Sequence, residues 1–249
     1  MELLNIILLS LIQGITEWLP VSSSGHLVIM QELFNMQVPI YFDILLHFAT
    51  LVVIFIVFYK DIIKIAKAII KLDFKDEYGK LGLYIIIASI PTAIIGFTFK
   101  DTFLSLFTNL KFVGISLIIT SLLLFTTKYF NGKRKLSTID SIIIGTFQGL
   151  AIIPGISRSG ATISSGLILG IKKELITTFS FLLAVPAILG ATILEYTPGA
   201  ITKEIILGMI LTVIVGYIAL KLTIKLILKN KFHYFGYYCL ILGIIILII

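Results

Sequence analysis

The chain has 249 residues, of which 58% are hydrophobic and only 13% are charged. A water-soluble domain carries about 25% charged residues, so this composition excludes an ordinary soluble fold and predicts an integral membrane protein. The formal net charge of +7 would suit a nucleic-acid ligand, but the basic residues are confined to particular loops, so we expect no nucleic-acid partner. The single cysteine, Cys239, excludes an internal disulfide.

The first apolar region of the chain is too interrupted to cross a membrane as one helix. It runs over residues 3–19, stops at Pro20 and resumes at about 26–34. The intervening turn is rich in serine, so we predict a re-entrant hairpin of two half-helices over residues 3–34. Three apolar blocks then approach the length of about 20 residues that a bilayer span requires. They lie at about 40–59, 81–99 and 112–130, with a solvated loop predicted at 71–80.

The second half of the chain repeats this order. An apolar region over residues 139–153 stops at Pro154 and Gly155 and resumes at about 161–171. This pattern predicts a second re-entrant hairpin over residues 139–171. Three further spans are predicted at about 176–196, 205–228 and 233–249.

The two hairpin turns resemble each other in sequence. Each opens with Gln-Gly and closes with Ser-x-Ser-Gly, and in both copies the final glycine is 12 positions after the glutamine. The copies run from Gln13 to Gly25 and from Gln148 to Gly160, which is an offset of 135 residues, about half the chain. Because three spans separate the copies, they are expected to enter the membrane from opposite faces.

These elements predict an all-α polytopic membrane protein with one membrane domain over residues 1–249. Repeat 1 (about 1–133) and repeat 2 (about 136–249) are expected to be related by inverted topology, each a re-entrant hairpin followed by three spans. Sixteen of the 20 Lys and Arg residues lie in alternating loops, which the positive-inside rule places in the cytoplasm. Both termini are then expected outside, and the two serine-rich turns should meet near the midplane.

Arg158 is the candidate anion-binding residue. It is one of two arginines and lies at predicted membrane depth, where a charge costs about 2.5–3.5 kcal/mol and tends to be functional. Ser157, Ser159 and Gly160 surround it at the start of a half-helix, and a helix N-terminus beside a guanidinium suits phosphate. The alternative role is a structural salt bridge to Glu17, which is compatible with function.

Gln13 and Glu17 are four residues apart and share one helix face. Their side-chain oxygens are suited to hold a divalent cation against phosphate, because hard cations prefer oxygen ligands. A packing or capping role for Gln13 is equally consistent with the sequence. His47, which follows Asp43 in a span, is more typical of a packed or interfacial histidine than of a neighbour of the site, and His233 is expected to be structural.

A run of small polar residues precedes His26. Serine hydroxyls and turn amides can cradle a phosphate group, and a neighbouring histidine can act as an acid or a base. A serine-rich turn alone more often serves local capping, but here it is expected to face the second turn, which carries Arg158. The candidate phosphate-binding residues of this turn are Ser22, Ser23, Ser24 and Gly25.

The paired turns resemble the motifs of the bacterial undecaprenyl-diphosphatase family, the bacitracin-resistance proteins. The matching stretches are Gln13 to Leu27 (QGITEWLPVSSSGHL) and Pro154 to Thr162 (PGISRSGAT), and the resemblance covers essentially the whole chain. It implies removal of the terminal phosphate from the undecaprenyl diphosphate that cell-wall polymer synthesis releases. The monophosphate would then re-enter the lipid carrier cycle in the plasma membrane, and the activity would confer resistance to bacitracin.

The family's Glu-or-Gln-x-x-x-Glu motif falls on Gln13 and Glu17, and the resemblance implies that they hold Mg²⁺ or Ca²⁺. Gln in the first position leaves fewer charges to hold the metal. The resemblance also implies a site open to the extracytoplasmic side and catalytic roles for Glu17, Ser23, His26 and Arg158. Together with the residue chemistry, it gives as expected diphosphate ligands Arg158, Ser22, Ser24, Gly25, Ser157, Ser159, Gly160 and Thr162.

The sequence leaves the nucleophile open, because His26 could activate either a water molecule or Ser23. A secondary transporter shares this architecture, so a polyprenyl-phosphate transporter or flippase using the same midplane site is the alternative function. A non-catalytic assembly or receptor protein would explain the hydrophobicity but not the twin polar turns. The expected partners are the polyprenyl diphosphate substrate and membrane lipids, with a homodimer as one option for the assembly state.

Overall fold

A computed structural model describes residues 2–36, 38–130, 132–195 and 199–249. Over these ranges the regular secondary structure is helical. The described residues form no β-strand, and their β pairing is limited to two isolated bridges. The helices of the described ranges are α1 (Leu3–Thr16), α2 (Ser23–Leu33), α3 (Ile40–Val57), α4 (Tyr59–Ile70), α5 (Glu77–Thr98), α6 (Lys100–Leu106), α7 (Leu110–Thr126), α8 (Thr138–Leu150), α9 (Arg158–Ile168), α10 (Lys173–Glu195), α11 (Lys203–Leu228) and α12 (Tyr234–Ile248).

Six of these helices, α3, α5, α7, α10, α11 and α12, occupy the six predicted spans. By length and composition, α5, α10 and α11 can each cross a membrane alone. Helices α3 and α7 are also apolar enough to span when taken together with the neighbouring α4 and α6, from which they are bent by 85° and 102°. The prediction of an all-α polytopic membrane protein is confirmed.

Helices α4 and α6 were not predicted as separate elements. Helix α4 carries lysines on one face and packs the other, including Ile65 and Ala68, against the fold. The predicted loop at 71–80 was wrong in its last residues, because α5 already begins at Glu77. The carboxylate of Asp76 caps α5 by accepting hydrogen bonds from the amides of Tyr78 and Gly79, which fixes this earlier start.

Both predicted hairpins consist of two helices joined by an irregular turn. Residues 17–22 join α1 to α2, and residues 151–157 join α8 to α9. Across the fold, α1 packs against α11 and α8 packs against α5. Glycine permits the first of these close approaches, since a Cβ on Gly14 would lie 2.9 Å from the carbonyl oxygen of Thr212. The first helix of each hairpin is therefore held by a long helix from the other half of the chain.

The turn of the first hairpin rests on the largest apolar cluster of the described residues. Trp18 is fully buried, and its ring meets Phe181 of α10 edge-to-face with centroids 5.9 Å apart. Phe181 in turn contacts Phe58 at the end of α3. Aromatic side chains bury large areas in defined orientations, so this packing fixes the neighbouring residue Glu17 in place.

Candidate active site

A serine caps the second helix of each hairpin. The hydroxyl of Ser22 accepts a hydrogen bond from the Gly25 amide at 3.2 Å, and that of Ser157 accepts one from the Gly160 amide at 3.1 Å. Such caps satisfy an amide that lacks a partner within the helix. The serine at this position of each Ser-x-Ser-Gly motif therefore starts the helix, and the next residue becomes its first helical position.

The tips of the two hairpins touch each other. The amide of Gly155 donates a hydrogen bond to Ser22 Oγ at 3.1 Å. Ser22 has a backbone φ of 69°, a conformation that costs a non-glycine residue about 1–3 kcal/mol and persists only where surrounding contacts enforce it. Gly155 has a φ of 93°, and a Cβ there would lie 2.6 Å from Ser116 Cβ. The junction between the hairpins therefore depends on both Ser22 and Gly155.

Glu17 is the centre of the polar cluster at this junction. Its Oε1 accepts a hydrogen bond from Arg158 Nη2 at 2.7 Å, and its Oε2 accepts one from Ser23 Oγ at 2.7 Å and one from Gln13 Nε2 at 3.0 Å. His47 Nε2 lies 3.7 Å from Oε2. The Glu17 side chain is only 7% exposed, so these partners replace the water that a charged group requires. The salt bridge between Glu17 and Arg158, which the sequence left open as an alternative role of Arg158, is present.

Two buried atoms of this cluster have no hydrogen-bond partner among the described residues. They are Arg158 Nη1, a donor, and Gln13 Oε1, an acceptor. Buried polar atoms are nearly always paired, so unpaired ones mark positions where a ligand can complete the site. The guanidinium of Arg158 also lies over the Trp18 ring, 5.7 Å from its centroid. One unpaired atom is suited to a phosphate oxygen and the other to a cation.

His26 is beside the cluster but is directed elsewhere. Its Nδ1 is 2.8 Å from the carbonyl oxygen of Ser22, and its Nε2 is 2.7 Å from the hydroxyl of Tyr238 on α12. Because both ring nitrogens are occupied, the structure shows no hydrogen bond between His26 and Ser23. Ser23 donates to Glu17 instead.

Of the remaining predicted ligands, Ser24 and Ser159 lie at the hairpin tips, whereas Thr162 lies inside the protein. The hydroxyls of Ser24 and Ser159 lie 3.3 Å and 3.4 Å from those of the two capping serines. Thr162 points away from the junction, donating to the carbonyl oxygen of Arg158 at 2.8 Å and lying 2.6 Å from Ser180 Oγ. Thr162 therefore supports the position of Arg158 within α9.

The sequence interpretation missed or underrated two neighbours of the cluster. Tyr238 gave no sequence signal, since it lies 212 residues from His26. His47 was interpreted as a packed residue, yet it lies beside Glu17 and its Nδ1 is 2.9 Å from the Asp43 carbonyl oxygen. The only sequence signal was that Asp43 and His47 are four residues apart, which places them on one helix face.

A cleft of about 480 Å³ adjoins the first hairpin turn. Thr16 and Val21 of the turn region and Tyr238 of α12 contribute to its wall. The other lining residues are apolar or aromatic except for Lys231, and they are Ile15, Leu19, Leu226, Tyr234 and Phe235. An apolar cleft of this size with few polar groups is typical of a small-molecule or lipid site.

Fold and site together define a polytopic membrane protein with a buried carboxylate–arginine cluster where two broken helices meet. A family model described as Bacitracin resistance protein BacA matches residues 6–245, and the chain belongs to this family. A protein of Alkaliphilus metalliredigens named undecaprenyl-diphosphatase is 43% identical, over 97% of this chain and 96% of its own length. Proteins of the same name from Thermosipho africanus and Korarchaeum cryptofilum are 41% and 38% identical, each over at least 97% of both chains. The predicted family is confirmed, and it is a family of multi-pass cell-membrane proteins.

Proposed function

We propose that the protein hydrolyses undecaprenyl diphosphate to undecaprenyl phosphate and inorganic phosphate. This activity would recycle the lipid carrier of cell-wall polymer synthesis and confer bacitracin resistance. The observation that carries the proposal is the arrangement of Arg158, Glu17 and Ser23 at the junction of the hairpins, in a chain whose full-length relatives are named undecaprenyl-diphosphatase. The names of these relatives favour the hydrolase over the transporter.

Arg158 is the proposed ligand of the diphosphate. Its Nη2 is held by Glu17, which leaves the buried and unpaired Nη1 to donate to a phosphate oxygen. Arg158 is also the first residue of α9, where amides without helical partners and the positive end of the helix dipole favour an anion. Ser159 and Gly160 supply neighbouring amides, although the Gly160 amide is already bonded to Ser157.

Ser23 is the proposed nucleophile, with Glu17 as its base. The hydroxyl already donates to Glu17 Oε2 at 2.7 Å, while Arg158 holds the other carboxylate oxygen. Attack of Ser23 Oγ on the terminal phosphorus would transfer its proton to Glu17 and break the bond between that phosphorus and the bridging oxygen. Undecaprenyl phosphate would leave, and water would then hydrolyse the phosphoserine to release inorganic phosphate.

We propose that Gln13 and Glu17 hold a divalent cation, Mg²⁺ or Ca²⁺. The fit rests on Gln13 Oε1, a buried oxygen without a partner next to a carboxylate. The described ranges contain no cluster of three or more His, Cys, Asp or Glu side chains suited to a metal, so substrate and water oxygens would complete the coordination. When bound, the cation would neutralise charge on the diphosphate oxygens.

We propose that repeat 1 (about 1–133) and repeat 2 (about 136–249) are related by inverted topology. Corresponding hydrogen bonds whose acceptors are 135 residues apart support this relationship. Thr212 Oγ1 donates to the carbonyl oxygen of Ser10 in α1, and Thr92 Oγ1 donates to that of Gly145 in α8, at 3.1 Å and 2.8 Å. Ser10 and Gly145 are 135 residues apart.

The two turns give a second equivalent pair. The carbonyl oxygen of Pro20 accepts from Cys239 Sγ of α12 at 3.7 Å, and that of Gly155 accepts from Thr120 Oγ1 of α7 at 2.8 Å. Pro20 and Gly155 are again 135 residues apart. With the basic loops in the cytoplasm, this topology would put both termini outside. The proposal that the site opens to the extracytoplasmic face rests on the family resemblance. A homodimer stays a proposal, which light scattering of the purified protein tests.

The test of the proposed function is phosphate release from undecaprenyl diphosphate by the purified protein in detergent, with and without Mg²⁺. Glu17→Gln should lower the rate by about 100-fold or more, because it removes both the base and the negative charge beside Arg158. The matched control is Glu32→Gln, since Glu32 is exposed on α2. Substrate binding without phosphate release by folded wild type would refute the hydrolase and favour the transporter.

A further inference from the structure

Tyr238 is the only described residue that contacts His26 Nε2 through a hydrogen bond, and it comes from the opposite end of the chain. The two rings also stack, with centroids 5.7 Å apart and planes inclined by 9°. The Tyr238 side chain is 47% exposed at the wall of the cleft, so burial of the ring does not explain its position. The hydrogen bond and the ring stacking with His26 are the specific interactions of the Tyr238 side chain.

The partners of His26 determine which nitrogen carries the proton. The carbonyl oxygen of Ser22 can only accept, so Nδ1 must be the donor in their 2.8 Å hydrogen bond. In the neutral ring Nε2 then carries a lone pair, and the hydroxyl of Tyr238 donates to it at 2.7 Å. The two contacts together select one tautomer and one orientation of the imidazole.

We infer that Tyr238 is a positioning residue for His26, fixing its tautomer and ring orientation beside the first hairpin turn through the hydrogen bond to Nε2. The inference rests on the proposed hydrolysis, together with the acid–base role that the sequence predicts for His26. Tyr238 acts through His26 and not on the reacting phosphorus. One half of the chain therefore orients a functional side chain of the other half, across the boundary between α2 and α12.

The substitution Tyr238→Phe tests this role because it keeps the stacked ring and removes only the hydroxyl. We expect kcat for phosphate release to fall about tenfold or more, which is the scale of losing a partner that orients a histidine. KM should change by less than about twofold, because the wall of the cleft keeps its shape. Tyr237→Phe is the matched control, since Tyr237 is adjacent and exposed and contacts Phe125 through its ring.

A second readout is independent of activity. The chain has three histidines, so ¹⁵N-histidine labelling gives a spectrum that the variants His26→Gln, His47→Gln and His233→Gln can assign. Tyr238→Phe should shift the Nε2 resonance of His26 and leave those of His47 and His233 in place. Tyr237→Phe should shift none of them.

The two readouts separate the outcomes. An unchanged His26 resonance in Tyr238→Phe overturns the hydrogen bond, and a shifted resonance with unchanged kcat overturns the positioning role. If the wild type releases no phosphate, the proposed function fails and the positioning role fails with it. The nitrogen resonances would still decide whether the Tyr238 hydrogen bond exists.

Discussion

Ser23 and Arg158 occupy equivalent positions in the two hairpins and hydrogen-bond to opposite oxygens of one carboxylate, Glu17. They are 135 residues apart, and each is the first helical residue after a capping serine. One hairpin thus contributes a hydroxyl and the other a positive charge at the same place in the turn. This relationship makes several consequences of the proposed chemistry measurable.

Ser23→Ala should abolish the phosphoenzyme and lower phosphate release by about 1000-fold, because the nucleophile is lost. Mass spectrometry of acid-quenched wild type should detect phosphate on the peptide that contains Ser23. Ser105→Ala is the control and should stay within about threefold of wild type, since Ser105 is exposed on α6, outside both hairpin turns, and its hydroxyl donates to the Thr102 carbonyl oxygen. A Ser23→Ala variant with substantial activity would instead make water the nucleophile.

Arg158→Lys should reduce kcat/KM by at least about tenfold. Lysine keeps the charge but cannot hold Glu17 with one nitrogen and phosphate with another in the fixed geometry of a guanidinium. Arg134→Lys is the comparison, because the second arginine of the chain bonds to Asp140 and the Leu169 carbonyl, away from the junction. Equal kinetic losses in both variants would contradict the assignment of Arg158 to the diphosphate.

Gln13→Glu should strengthen the response to Mg²⁺. A second carboxylate beside Glu17 raises the local negative charge, so the free protein should be less stable and the cation should stabilise it more. The measurement is the melting temperature in detergent across a Mg²⁺ titration, which needs no substrate. An identical titration midpoint in wild type and variant would argue against a cation at Gln13.

Gly155→Ala should lower thermal stability, because the backbone has a positive φ and the added methyl group would lie 2.6 Å from Ser116 Cβ and from the Val113 carbonyl oxygen. We expect a loss of about 2 kcal/mol or more. Gly190→Ala is the control, since a Cβ there would meet no described residue within 4 Å and alanine is the better helix former by about 1 kcal/mol. Thermal unfolding of both variants in detergent measures the difference.

The helices that cross the membrane could be predicted because bilayer thickness imposes a length and an apolar composition on them. The two hairpins could be predicted for the opposite reason, since Pro20 and Pro154 interrupt apolar segments that would otherwise be long enough to span. Helix α6 was not predicted, because its seven residues are too few to show a hydrophobic period. Helix α4 was not predicted because a run of lysines in a membrane protein usually indicates a loop.

The residues of the cluster were predicted more completely than their contacts. The family resemblance pointed to Glu17, Ser23 and Arg158, and the structure brings these residues together. The orientation of His26 could not be predicted, because it depends on Tyr238 at a separation of 212 residues. Contacts between distant segments are set by helix packing, which leaves no periodic signal in a single sequence.

The junction between the hairpin tips also has an electrical consequence. A helix broken at membrane depth exposes backbone groups that would attract water and could open a path for ions. Here the Gly155 amide is held by Ser22 Oγ, and the carbonyl oxygens of Gly155 and Pro20 are held by Thr120 and Cys239. Because these groups are hydrogen-bonded within the protein, we expect the interrupted helices to conduct no ions, so the membrane should keep its ion gradients.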